Sequence, residues 1–96
     1  MTEQELVELL NGVVLLATPL NSNQVNIKSL DENLADTGLD SLDMLMVGVY
    51  LSDVYGVSED DLKAMEVTSV RKLFEYMCQH KTKEPQSVKE ALESIQ

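Results

Sequence analysis

The sequence predicts an all-α chain, a four-helix bundle with a long first loop, a short third helix and a C-terminal extension. Three observations predict it. Apolar residues recur at three- and four-residue spacing in separate stretches; no stretch of useful length alternates apolar with polar; and a run rich in Asn, Ser, Asp and Thr parts the first stretch from the second. A chain of 96 residues lies below the length at which chains split into two cores. One domain over 1–81 with an extension over 82–96 is expected.

Leu6, Leu9, Leu10, Val13, Val14 and Ala17 share one helical face, predicting a first helix over about 3–17. Thr2 and Glu5 form a capping-box pattern ahead of it, and Pro19 closes it. Residues 20–40 read as a long loop that Val25, Ile27, Leu30 and Leu34 could pin to the helices. The second helix, about 41–55, is expected to bury Leu42, Leu45, Met46, Val49 and Val54, with Gly56 as its C-cap. Ser58 starts a short third helix. Thr68 or Ser69 caps a fourth that presents Val70, Leu73, Phe74 and Met77. After Pro85, Ser87 and Glu90 repeat the capping-box pattern before Val88, Ala91, Leu92 and Ile95, a helix too short to hold alone that must dock or fray.

Seventeen acidic and seven basic residues give a net charge of −10. That field disfavours nucleic acid and anionic membranes and steers basic partners inward. Residues 1–40 carry −6, residues 41–66 carry −5 and residues 67–96 carry +1, so the acidic field belongs to the first two thirds. One cysteine, Cys78, and the absence of a long apolar run or a basic leader fit a monomer in a reducing cytoplasm. Cys78 is expected to be a buried or half-buried structural thiol, and the lone His80 to be solvent-exposed.

The informative stretch is Gly38-Leu39-Asp40-Ser41-Leu42-Asp43, a loop that ends in a serine at the start of a helix. Asp40 or Ser41 can cap the first turn, and Asp43 lies where the helix dipole favours negative charge. Asp-Ser-Leu in this place resembles the modification site of acyl carrier proteins. Leu30-Asp31-Glu32-Asn33-Leu34 resembles the family's approach to the serine, Tyr55 the aromatic near the end of its second helix, and Val67-Thr68-Ser69-Val70 its lead into the fourth. The resemblance covers residues 1 to 80.

The resemblance implies a carrier that catalyses nothing itself. A phosphopantetheinyl transferase attaches 4′-phosphopantetheine to Ser41. An acyl- or aminoacyl-loading enzyme then charges the arm as a thioester, for synthase or transferase clients with basic docking patches. These belong to a fatty-acid, polyketide or specialised-metabolite pathway. Asp40, Leu42, Asp43, Met46 and Asp53 stand at positions that contact the transferase and clients in the family. Met46 and Ser52 replace acids frequent there, which implies a dedicated partner set. Leu45, Met46, Val49, Met65, Val67 and Val70 are the implied lining of an acyl pocket, and Met44, Met46, Met65 and Met77 could line an adaptable groove that shelters a chain; ordinary core packing is the favoured account of the methionines, and the other residues carry the same ambiguity. Physically, a phosphodiester at a helix N-terminus meets unpaired backbone N–H groups and the positive end of the dipole.

A peptidyl carrier is the close alternative, although Gly38-Leu39-Asp40 departs from the Gly-Gly that usually precedes its serine. An unmodified acidic helical adaptor is the alternative of a different class. A calcium loop counted from Asp31 fails, with Asp36 where glycine is needed and Leu42 where a bidentate glutamate is needed. Ser41 lacks a Gly-x-Ser-x-Gly frame and a nearby histidine, and one Cys with one His makes no zinc site, so neither catalytic nor metal residues are assigned.

Overall fold

Thr2 and Glu5 close a reciprocal capping box. The Thr2 N–H donates to Glu5 Oε1 at 3.1 Å, and the Glu5 N–H donates to Thr2 Oγ1 at 3.2 Å. The Thr2 backbone bond is the main cause that holds the Glu5 carboxyl below its ordinary range. The computed structural model describes residues 2–17, 27–39 and 41–95, Ser41 by its backbone alone. Pro19, Val25 and Asp40 therefore lie outside the described residues. Helix α1 (Glu3–Ala17) follows the box and buries Leu9, Leu10, Val13 and Val14, the face its spacing predicts.

The loop is tied down by backbone accounting. Asn11 on α1 donates through Nδ2 to the Ile27 carbonyl at 2.9 Å and accepts the Ile27 N–H on Oδ1 at 2.8 Å. One amide thus satisfies both polar groups of a residue that has no strand or helix neighbour to pair with. Ile27, Leu30 and Leu34 are buried, as expected of loop anchors. The loop is not structureless, however. Leu34–Asp36 forms a single 3₁₀ turn. Residues 30–34 also pair with residues 68–71: Leu34 N–H to Thr68 O, Val70 N–H to Glu32 O and Arg71 N–H to Leu30 O. The Arg71 guanidinium meets Glu3 at 2.7 Å and Asp31 at 3.1 Å, joining α1, the loop and the next long helix but one.

Helix α2 (Ser41–Tyr55) packs against every other helix. Its buried side chains are Val47, Leu51, Ser52, Val54 and Tyr55. This corrects the predicted face: Leu42 and Leu45 are 65% and 57% exposed, and Met46 and Val49 are half-buried. The helix is apolar nearly all round, so periodicity alone does not select the inner stripe. Gly56, at φ 66°, ends α2, and the Val57 N–H returns to the Ser52 carbonyl at 2.9 Å.

Ser58 caps α3 (Glu59–Ala64) and Ser69 caps α4 (Val70–His80), each hydroxyl accepting an N–H from three residues on. Val70, Leu73, Phe74 and Met77 enter the core as predicted. Cys78, expected in or near the core, is exposed, because the inward stripe of α4 ends with Met77 on the neighbouring face. His80, expected in solvent, is half-buried: its Nδ1 lies 3.4 Å from Asp61 and its ring stacks on Tyr76 at 4.4 Å. The Tyr76 hydroxyl donates to the Asp61 carbonyl at 2.6 Å, so α3 and α4 are joined at this corner.

Helix α5 (Val88–Ser94), capped by Ser87, docks instead of fraying. Ala91 is buried, and Gly12 of α1 makes room for Leu92, whose Cδ1 would lie 2.7 Å from a β-carbon there. The connection to α5 is itself bonded. The Thr82 and Lys83 N–H groups donate to the Tyr55 carbonyl, and the Thr82 hydroxyl donates to the Gly56 carbonyl at 2.6 Å. These bonds take up carbonyls at the end of α2 that lack helical partners.

Two measurements test this account. Asn11→Ala leaves both polar groups of Ile27 unpaired and is expected to cost about 2–4 kcal/mol in urea unfolding. Burial, helped by Cys78 and Glu84, pushes the Tyr55 phenol up to about 12. The unfolded chain loses that proton near pH 10 and the folded chain near pH 12, so stability falls as pH rises between those values. The loss totals roughly 3 kcal/mol relative to Tyr55→Phe, in which this component is absent.

Candidate functional site

The turn that leads to Ser41 is held by Thr37. Its hydroxyl donates to the Leu34 carbonyl at 2.7 Å and accepts the Leu39 N–H at 3.4 Å. Gly38 follows at φ 89°, and half-buried Leu39 packs on the core. The chain then enters α2 at Ser41, so the residue stands at the positive end of a 15-residue helix. Asp40, expected to cap this turn, lies outside the described residues.

Around this helix start the expected site residues fall into different settings. Leu42 is exposed, Asp43 and Met46 are half-buried, and Asp53 is exposed three turns further along. Ser52 is buried, its hydroxyl donating to the Val49 carbonyl at 2.7 Å. An acid in that place would have to be desolvated, which explains physically why a small hydroxyl suits it. The acidic groups sit instead on α3 and just beyond it, at Glu59, Asp60, Asp61 and Glu66. The Lys63–Glu59 pair at 3.2 Å is highly exposed and adds little to stability.

Three cavities line up along the side of α2 that faces α3 and the 65–69 segment. The first, about 490 Å³, is bordered by Asn33, Leu34, Ala35, Leu39, Met44, Val67 and Thr68. The second, about 310 Å³, is bordered by Met44, Leu45, Gly48, Leu62, Met65, Glu66 and Val67. The third, about 430 Å³, lies by Leu45, Val49, Ser52, Asp53, Val57, Glu59, Leu62 and Lys63. Of the residues expected to line a pocket or groove, Met44, Leu45, Val49, Met65 and Val67 border these cavities. Met46, Val70 and Met77 border none of the three, and Val70 and Met77 are fully buried in the core.

Gly48 and Leu62 were not singled out in the sequence. Gly48 stands seven residues from Ser41, a helical spacing that could have placed it on the same side of α2. Leu62 carries no such signal, because its place depends on how α3 docks. Among the described residues no group of three His, Cys, Asp or Glu side chains could hold a metal ion, and no helix is long and apolar enough to cross a membrane.

A family model described as a phosphopantetheine attachment site matches residues 13–77, from the middle of α1 to the last core residue of α4. No solved structure matches the chain.

The revised orientation of α2 makes an ordering testable in urea. Leu51→Ala should cost about 2–5 kcal/mol by leaving a core cavity. Leu42→Ser and Leu45→Ser should stay within about 0.5 kcal/mol of the parent chain. The reverse ordering would return Leu42 and Leu45 to the core.

Proposed function

The chain belongs to the family of phosphopantetheine attachment sites, whose domains carry 4′-phosphopantetheine as a covalent arm and work with a transferase and partner enzymes; we propose that the arm is attached to Ser41 and that the protein is a carrier of the acyl-carrier branch. The observation that carries this reading is the position of Ser41, which opens α2 inside the matched region and directly after the turn held by Thr37.

The surroundings fit such an arm. The N-terminal end of a 15-residue helix, where the dipole is positive, suits a phosphodiester. The row of cavities begins beside Met44, less than one helical turn from the serine, and is walled mainly by aliphatic and thioether side chains. The arm supplies a terminal thiol, and hence a thioester-bound cargo that the polypeptide alone could not hold. That lining favours an apolar acyl cargo over a charged aminoacyl one, since among its residues only Glu66, Asp53, Glu59 and Lys63 are charged.

Partner recognition follows from the same face. Leu42 and Leu45 offer exposed apolar contact at the head of α2, while Asp43, Asp53 and the acids of α3 set a negative surround. A client with an apolar patch rimmed by basic groups complements both features. The transferase is expected to meet Leu42 and Asp43 first, and Asp40 with them.

Incubation with coenzyme A and a permissive phosphopantetheinyl transferase, followed by intact-protein mass spectrometry, tests the assignment. One phosphopantetheine should be gained by the parent chain and none by Ser41→Ala. A parent chain that stays unmodified while retaining basic protein partners would indicate the acidic adaptor instead.

A further inference from the structure

The turn from Leu34 to Leu39 is pinned at both ends. Leu34 is buried and its N–H donates to the Thr68 carbonyl at 3.0 Å, while half-buried Leu39 packs on the core. Between them Ala35, Asp36 and Gly38 are exposed, and Thr37 is half-buried. The Leu34 carbonyl receives two donors from Thr37, the backbone N–H at 3.3 Å and the hydroxyl at 2.7 Å, and the same hydroxyl oxygen accepts the Leu39 N–H at 3.4 Å. One side chain thus ties residue 34 to residue 39 across the turn. Gly38, at φ 89°, supplies the reversal of the backbone inside that bridge.

We infer that Thr37 is a positioning residue for the modification of Ser41: its hydroxyl, by bridging Leu34 and Leu39, presets the direction from which the chain delivers the serine to the transferase. This rests on the carrier reading of Ser41. Leu39 is two residues from the serine, at most about 7 Å of chain, so the direction fixed at Leu39 is passed on to the head of α2. In the transfer the Ser41 oxygen bonds to the pantetheine-side phosphorus of coenzyme A. The bond from that phosphorus to the bridging oxygen breaks, adenosine 3′,5′-bisphosphate leaves, and the serine proton passes to a base of the transferase. Thr37 touches none of these atoms and acts only through the turn.

The task needs a group that donates to a carbonyl and accepts an N–H at once, which a hydroxyl does. Valine has nearly the shape of threonine and neither function, whereas serine keeps both and lacks only the methyl group. Without the bridge, the Thr37 N–H at 3.3 Å is the remaining bond to the Leu34 carbonyl, and the Leu39 N–H loses its partner. The turn then spreads over several directions, of which a fraction presents the serine as the transferase takes it. Apparent affinity falls by that fraction, so the loss appears in KM for the carrier, while the chain that has bound in the right pose reacts at the parent rate.

The test measures initial rates of pantetheinylation of the full chain by coenzyme A and a permissive transferase, at varied carrier concentration, with circular dichroism confirming that each variant is folded. Thr37→Val should raise KM for the carrier about five- to tenfold and leave kcat within about twofold, and Thr37→Ser should restore KM to within about twofold of the parent. Asn11→Ala loosens the same loop at Ile27, before the turn, and separates general destabilisation from positioning: its KM should stay near that of the parent. In the parent chain the Thr37 side chain should hold one rotamer, read from its three-bond scalar couplings, and rotameric averaging overturns the positioning role whether or not Thr37→Val folds. A parent-like KM in Thr37→Val, a loss confined to kcat, no rescue by serine, or an equal rise in Asn11→Ala overturns the role of Thr37 alone. Failure of the parent chain to take up pantetheine overturns the carrier reading, and the role of Thr37 with it.

Discussion

Helix α2 is contacted by α1, α3, α4 and α5, and this central placement is the constraint from which the rest of the structure follows. A helix surrounded in this way has to be apolar on most sides. Val47, Leu51, Val54 and Tyr55 meet the core, Gly48 meets α3, and one strip that includes Leu42 and Leu45 is left uncovered. Because the helix also begins at Ser41, the uncovered strip and the row of cavities both start beside the same residue. Position within the bundle, more than any cluster of reactive side chains, creates the candidate site.

The same constraint decides what could be read from the residues alone. Helices α1 and α4 were legible down to their buried side chains, because the helical period of their inward apolar residues is clear. Caps were legible too: Thr2 with Glu5, Ser58, Ser69 and Ser87 all bond as their spacing suggests. Helix α2 was legible in extent but not in rotation, since a sequence that is apolar nearly throughout fits several orientations. The loop was legible as a loop, whereas its pairing with residues 68–71 was not, because backbone hydrogen bonds leave no mark on side-chain identity.

For the site, the stretch from Gly38 to Asp43 marked the place and the family match spans it. The cavity walls were harder. Leu45, Val49, Met65 and Val67 were named from resemblance, while Leu62 and Gly48 became visible only once α3 was docked, because a contact between a large residue and a missing one is a property of two elements and not of either. The exposed Cys78 shows the converse error: a small apolar residue next to a core position was expected by type to be buried or half-buried, although one step along a helix turns it away by about 100°.

The strap formed by Thr82 and Lys83 holds the far end of α2 through the carbonyls of Tyr55 and Gly56. Residues beyond the family match thus anchor the very helix that the serine opens, some 20 Å away at 1.5 Å of rise per residue, so the segment after α4 bears on the placement of a site it never touches.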